Sequence, residues 1–354
     1  MALTPIVVDG FDHYPTAAND ATLGLQQTWA PAGTGAPTIT FVTGFRGRGK
    51  AIHVSHSLFQ GRIQRPIPAS TQLSQHMAFR MTEWDGDNIR PIFTWRDFSA
   101  GTQFALQAHP NRKIGLYRGY GTTLLAESAL ALNQNVVHRF NFAFDFSNPV
   151  SGSAQMWIDG SLANGFSISN TDLLATANNT VDMVCVDSQG YGSNADMGHR
   201  FDVDDFVLCN GAAQNIGELE LITQGPTSDI QKQWTPLSGV DNYPMVDEIP
   251  PNADTDYNSS TVVGNIDYQG FPVLPTTPDS IFCLTQILAA RKEEAGTRSI
   301  AAALKQTGET IGTVQNLTTQ YEWYYEHYLK NPETVAAWLL AERNAAGFGY
   351  KDAA

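Results

Sequence analysis

The run Val137-His138-Arg139-Phe140-Asn141-Phe142-Ala143-Phe144-Asp145-Phe146 carries aromatic rings at 140, 142, 144 and 146. Side chains of a β-strand alternate between its two faces, so all four phenyl rings fall on one face. Aromatic side chains dominate core energetics, so the stripe reads as the inward face of a central strand, with a ligand-stacking platform as the competing reading. Gln155-Met156-Trp157-Ile158 forms a shorter apolar strand and stops at Asp159-Gly160. That pair marks a tight turn, because Gly tolerates positive φ and Asp bonds its own turn.

Outward from this pair the same period-two pattern recurs in short runs. They cover 39–45, 51–58, 75–84, 89–98, 104–108, 113–117, 122–126, 181–186 and 200–208. In the last run the apolar phase slips near Asp204-Asp205, which suggests a β-bulge there. Short alternating strands with turn residues every 8–12 positions signal an antiparallel sandwich. Residues 1–214 are therefore expected to form one β-sandwich.

The chain then changes character. A Pro-rich, weakly periodic stretch makes 215–279 a connecting arm, too long for an ordinary loop. A second β-rich domain is expected over 280–354, with strands at 280–291, 298–305 and 318–329 and a further short one at 217–222. Pro332-Glu333 suits a helix N-terminus and Gly347 a helix end, so 332–345 reads as a C-terminal helix.

The 354 residues carry a net charge of −14, and only 16% are charged. Residues 1–214 hold 13 Lys/Arg against 17 Asp/Glu, and 215–354 hold 8 against 18, so the acidity concentrates in the second part. An acidic chain repels phosphate backbones, which argues against nucleic acid as a partner. Arg46-Gly47-Arg48-Gly49-Lys50 reads as a turn between strands rather than a phosphate site. Cys185, Cys209 and Cys283 form no CxxC pair and read as free thiols. The N-terminus lacks a signal-peptide pattern, and no apolar run is long enough to span or insert into a membrane.

Three groups of residues are candidates for chemistry. Glu83, Asp85 and Asp87 alternate as glucanase carboxylates do, but the closing Glu is missing and Gly86 implies a polar hairpin. Asp202, Asp204 and Asp205, with Asp187 and Asp196 upstream, offer carboxylates to Ca²⁺, in competition with plain strand-end hydrogen bonding. No other cofactor is expected. Two glycine-rich turns offer stacking and hydrogen-bonding groups for a sugar: Tyr117, Arg118 and Tyr120 in one, Tyr191 and Asn194 in the other. The eight histidines show no metal-binding spacing, and His53 and His56 are expected on opposite strand faces.

The strand His138–Phe146, the Trp157-Ile158-Asp159-Gly160 hairpin and the closing Asp204-Asp205-Phe206 strand follow one another as in laminin-G-like and concanavalin-like jelly rolls, which the first 210 residues resemble. Across the whole chain, further short motifs resemble a family of tailed-bacteriophage virion structural proteins. They are Gly217-Glu218-Leu219 followed by Gly225-Pro226-Thr227, Gln233-Trp234-Thr235-Pro236, Val246-Asp247-Glu248, Asp254-Thr255-Asp256-Tyr257 and the Asn331-Pro332, Ala337-Trp338, Asn344 and Phe348-Gly349 pattern of the C-terminal end. That family usually ends in a strand, whereas 336–345 here is helix-prone. The resemblance implies a non-enzymatic tail, baseplate or head-attached component, made in the host cytoplasm and assembled into a virion. Its partners would be other copies of itself, other virion proteins and a host-surface glycan. The alternatives are a purely structural block without ligand and a glycan-cleaving jelly-roll hydrolase.

Overall fold

The computed structural model describes residues 3–15, 23–33, 38–55, 60–121, 123–148, 150–189 and 199–353. The chain folds as two units, Met1–Phe11 with Thr28–Leu221, and Asp12–Gln27 with Ile222–Ala354.

The first unit is an antiparallel jelly-roll sandwich. Its strands begin with β1 (Thr4–Asp9), β2 (Ala30–Gly33), β3 (Thr38–Thr43), β4 (Lys50–Ser55) and β5 (Gln60–Ser70). They continue with β6 (Gln72–Glu83), β7 (Arg90–Asp97), β8 (Gly101–Ala108), β9 (Ile114–Arg118) and β10 (Thr123–Glu127). The set closes with β11 (Val137–Asp145), β12 (Gly152–Ile158), β13 (Ser161–Thr171), β14 (Val181–Gln189) and β15 (Arg200–Asn210). An eight-stranded sheet runs β13-β12-β11-β6-β15-β4-β3, with β1 added to β15. A seven-stranded sheet runs β10-β9-β8-β7-β14-β5-β2.

The phenylalanine stripe is the core. Phe140, Phe142, Phe144 and Phe146 are fully buried. Phe144 meets Trp95 and Phe104 of the other sheet at centroid distances of 4.9 and 4.8 Å. Gln75 enters this layer and accepts a 3.2 Å hydrogen bond from Trp95 Nε1. The expected irregularity in the closing strand is present, since the β15–β6 register shifts between Asp204 and Val207 and Asp205 has φ of 50°.

The expected strand at 217–222 does not form. Backbone donors of residues 214–221 go to side chains on the outer face of the eight-stranded sheet instead. Gln214 N donates to Ser74 Oγ, Leu219 N to His76 Nε2 and Leu221 N to Asp205, at 2.9, 3.3 and 2.7 Å. The segment is thus a strap held across that face.

The second unit takes in the Pro-rich stretch rather than leaving it as an arm. β16 (Ser228–Gln231), β17 (Thr235–Pro236), β18 (Asn258–Ser259) and β19 (Ile266–Gly270) come from it. Later come β20 (Leu284–Ala290), β21 (Ser299–Lys305), β22 (Glu309–Ile311), β23 (Gln315–Asn316), β24 (Glu322–Tyr328), α1 (Leu340–Ala345) and β25 (Gly347–Asp352). The main sheet runs β16-β19-β25-β21-β22, β23 pairs with β21, and β17-β18 and β20-β24 are separate pairs. Fully buried Asp267 organises the irregular stretch by accepting from Gln233 N, Trp234 N and Asn242 Nδ2 at 2.6, 2.9 and 2.6 Å. A buried carboxylate persists here because hydrogen bonds compensate its desolvation.

The C-terminal helix is six residues long, not fourteen as the 332–345 reading implies. Residues 331–336 close a turn instead, with Val335 at φ of 55° and its N–H on Asn331 O. The turn plants Trp338 in the core beside Leu304 and Tyr328, where its Nε1 donates to Tyr328 O at 2.9 Å. The chain then ends in a strand inserted between β19 and β21.

Candidate functional site

The outer face of the seven-stranded sheet carries a row of polar side chains. Glu127 of β10 stands opposite Gly115 of β9, and Gly115 opposite Gln107 of β8. Asp187 of β14 stands opposite Arg62 of β5. Val186, Phe93 and Leu106 are paired in sequence across β14, β7 and β8. Asp187 and Gln107 each lie one residue further along strands that run the same way, so they share one level with β7 between them. Glu127, Gly115, Gln107, Asp187 and Arg62 therefore form one row across the sheet.

At one end of the row three side chains form a hydrogen-bonded chain. Tyr117, 6% exposed, donates its hydroxyl proton to His109 Nε2 at 2.9 Å. His109 Nδ1 donates to Glu127 at 2.7 Å. The carboxylate fixes the tautomer: with the ring proton on Nδ1, Nε2 carries the lone pair that the phenol needs. Burial alone would raise the Glu127 pKa, but hydrogen bonds from Asn111, Lys113 and His109 outweigh it and lower it. Burial, helped by the Glu127 charge, raises the Tyr117 phenol above its ordinary value. Gly115 makes room for the pair, since a Cβ there would stand 2.6 Å from His109 Nε2 and 2.8 Å from Tyr117 Cε2. Beside these three, Gln107 is 4% exposed and its Nε2 has no hydrogen-bond partner among the described residues. A buried amide left unpaired is costly, which sets this donor apart from the paired side chains around it.

At the other end, Asp187 is 1% exposed and accepts from Thr94 Oγ1 at 2.5 Å and Tyr120 Oη at 3.0 Å. Burial raises the Asp187 pKa, and burial with the Asp187 charge beside it raises the Tyr120 phenol well above its usual range. Burial also pushes the adjoining Cys185 thiol up to about 12, so it is a poor nucleophile while it stays buried.

The residues named from sequence separate here. Tyr117 joins the hydrogen-bonded chain and Tyr120 lies over the row. Arg118 sits on the opposite strand parity and is paired with the Asp172 carboxylate at 3.3 Å. Tyr191 and Asn194 lie outside the described residues, as do His56 and Asp196. The Ca²⁺ carboxylates are spent separately. Asp202 binds His53 and Arg80, Asp204 accepts from Phe45 N, and Asp205 accepts from Leu221 N. Among the described residues no group of three or more His, Cys, Asp or Glu side chains is placed to hold a metal, and no helix is long and apolar enough to cross a membrane. Asp85 is buried in its turn, bound to Arg90 at 3.0 Å and to the backbone of Asp87 and Asn88, so no glucanase strand forms.

Gln107, His109 and Glu127 were not singled out from sequence. The usable signal was parity: Gln107 and His109 are two apart at the end of a strand and so share a face. Glu127 becomes their neighbour only through the β8-β9-β10 meander.

No family model matches the chain, and no curated protein matches it. Solved structures do resemble it. They include a sialidase (9% identity, TM-score 0.42, 58% of this chain and 18% of the sialidase). They also include a PL-14 alginate lyase from Aplysia kurodai (9%, 0.44, 59% and 100%) and an endo-β-1,4-glucuronan lyase from Trichoderma reesei (12%, 0.40, 59% and 95%). The chain thus spans under a fifth of the sialidase and nearly all of the two lyases. These neighbours share the jelly-roll sandwich. Glycan-cleaving enzymes recur among them. The recurrence of such enzymes among the neighbours runs against the expectation that the chain is not an enzyme.

Proposed function

We propose that the sandwich acts on a glycan and cleaves an acidic polysaccharide by elimination. The observation that carries this reading is the Tyr117–His109–Glu127 relay beside the unpartnered Gln107 amide. Two-carboxylate hydrolysis needs a carboxylate pair across the scissile bond, and Asp85 is spent inside its turn. Elimination next to a carboxyl group needs different parts: a base for the proton α to the carboxyl, an acid for the departing oxygen and a donor for the enolate oxygen. In this reading Tyr117 passes its proton to His109 Nε2, and Glu127 stabilises the imidazolium. The phenolate then takes the α proton. The electron pair forms the carbon–carbon double bond as the bond to the glycosidic oxygen breaks, Tyr117 gives the α proton to that oxygen, and His109 then returns its proton to the Tyr117 phenolate. Gln107 Nε2–H donates to the sugar carboxylate, where charge develops.

The test is incubation of the full chain with a polyuronate such as alginate and with a neutral β-glucan. Ultraviolet absorbance reports unsaturated ends, and a reducing-end assay reports total cleavage. Absorbance rising in step with reducing ends on the polyuronate supports elimination. Reducing ends without absorbance contradict elimination, and no product from any acidic glycan contradicts the catalytic reading.

A further inference from the structure

The row on the seven-stranded sheet is not open. Gly119 N donates to Gln103 O at 2.8 Å, which ties the β9–β10 turn to the start of β8. From there the turn doubles back over the face. A Cβ on Gly121 would stand 2.5 Å from Gln107 Nε2, so the Gly121 backbone lies directly on that amide. The next residue back, Tyr120, reaches Asp187 with its hydroxyl. Gln107 and Asp187 share one level two strand spacings apart, about 10 Å. Tyr120 and Gly121 together bridge that distance along the row. Gly119 and Gly121, on either side, have φ of 63° and 119°, a region where side chains are strained.

We propose that residues 119–121 are a closed lid over a sugar-binding row, and that the Tyr120 hydroxyl fills the place of a glycan hydroxyl on Asp187 and Thr94. When the lid lifts, it uncovers a carboxyl group and a threonine hydroxyl on β14 and β7, with Arg62 opposite Asp187, and on β8 the Gln107 amide. Asp187 and Thr94 then bind sugar hydroxyls, and Gln107 faces the acidic group. The inference rests on the glycan reading above for its ligand. The lid itself does not need that reading.

Cys185 supplies a ligand-free test. Its side chain is fully buried and shares the outward parity of Thr94 and Asp187. Its labelling by a small thiol reagent, resolved by mass spectrometry, should rise at least tenfold in Tyr120→Phe, which loses the latch but keeps the ring. It should rise further in Tyr120→Ala. On alginate, Tyr120→Phe should lower KM several-fold with kcat little changed, and Asp187→Asn should raise KM. Unchanged Cys185 labelling in both folded Tyr120 variants overturns the lid even if alginate is cleaved. If Cys185 responds but neither variant binds or cleaves any glycan, the sugar row falls together with the glycan reading while the lid stands.

Discussion

The two outer faces of the sandwich each bury a histidine, and the two are wired differently. On the eight-stranded sheet His76 accepts from Leu219 N and contacts Asn141 Oδ1 at 3.3 Å. A strap of the chain's own backbone covers it, and burial drives its pKa down to about 4. On the seven-stranded sheet His109 sits between a phenol and a carboxylate. A histidine bonded to a backbone N–H has no route for a proton, whereas one bonded between an acid and a base does. Burial alone therefore does not identify a site. What distinguishes His109 is the chemical nature of both its partners and the unpaired amide beside it.

The largest expected effect that would break this comparison is on rate. Tyr117→Phe keeps the ring but removes the transferred proton, and depolymerisation should fall by about 10²–10⁴-fold. His76→Gln should leave the rate within about twofold, and an equal loss in both variants would erase the distinction. Next comes pH. His76 and His199 both fall from 6.5 to about 4 in the folded chain, through burial. The unfolded chain binds the extra protons, so the stability they contribute is complete above pH 6.5 and is lost as pH falls toward 4. Each contributes up to about 3 kcal/mol, and His76→Gln should flatten the acid slope measured by urea unfolding between these limits.

A smaller effect sharpens the relay. Gly115→Ala pushes against buried His109 and Tyr117 and should cost about tenfold in rate and about 1–3 kcal/mol of stability in urea unfolding. The smallest is at the strap. Glu220 is held by Arg46 and Arg48, all partly exposed, so Glu220→Gln should cost about 1 kcal/mol or less, and less still in high salt.

Much of the sandwich was legible because period-two patterning and the 140–146 stripe depend only on local strand geometry. The bulge at Asp204–Asp205 was legible for the same reason. The strap was not, because its apolar residues alternate as a strand's do, yet its donors find side chains. The short helix was not, because alanine-rich propensity yielded to the burial of Trp338. Tyr117 and Tyr120 stood out as aromatic residues in a glycine-rich turn, but Tyr120 is bonded to a residue far away in the chain and Tyr117 meets Glu127 only through His109. Asp187 is 67 residues from Tyr120, and Glu127 is 18 from His109. Such pairings come from strand order, which no single segment encodes.

The central claim is that the His109 face moves protons and the His76 face does not. The most direct test compares wild type, Tyr117→Phe and His76→Gln on alginate by the ultraviolet absorbance of unsaturated ends. The prediction is steady absorbance growth in wild type and His76→Gln and almost none in Tyr117→Phe. Equal rates in wild type and Tyr117→Phe would contradict it.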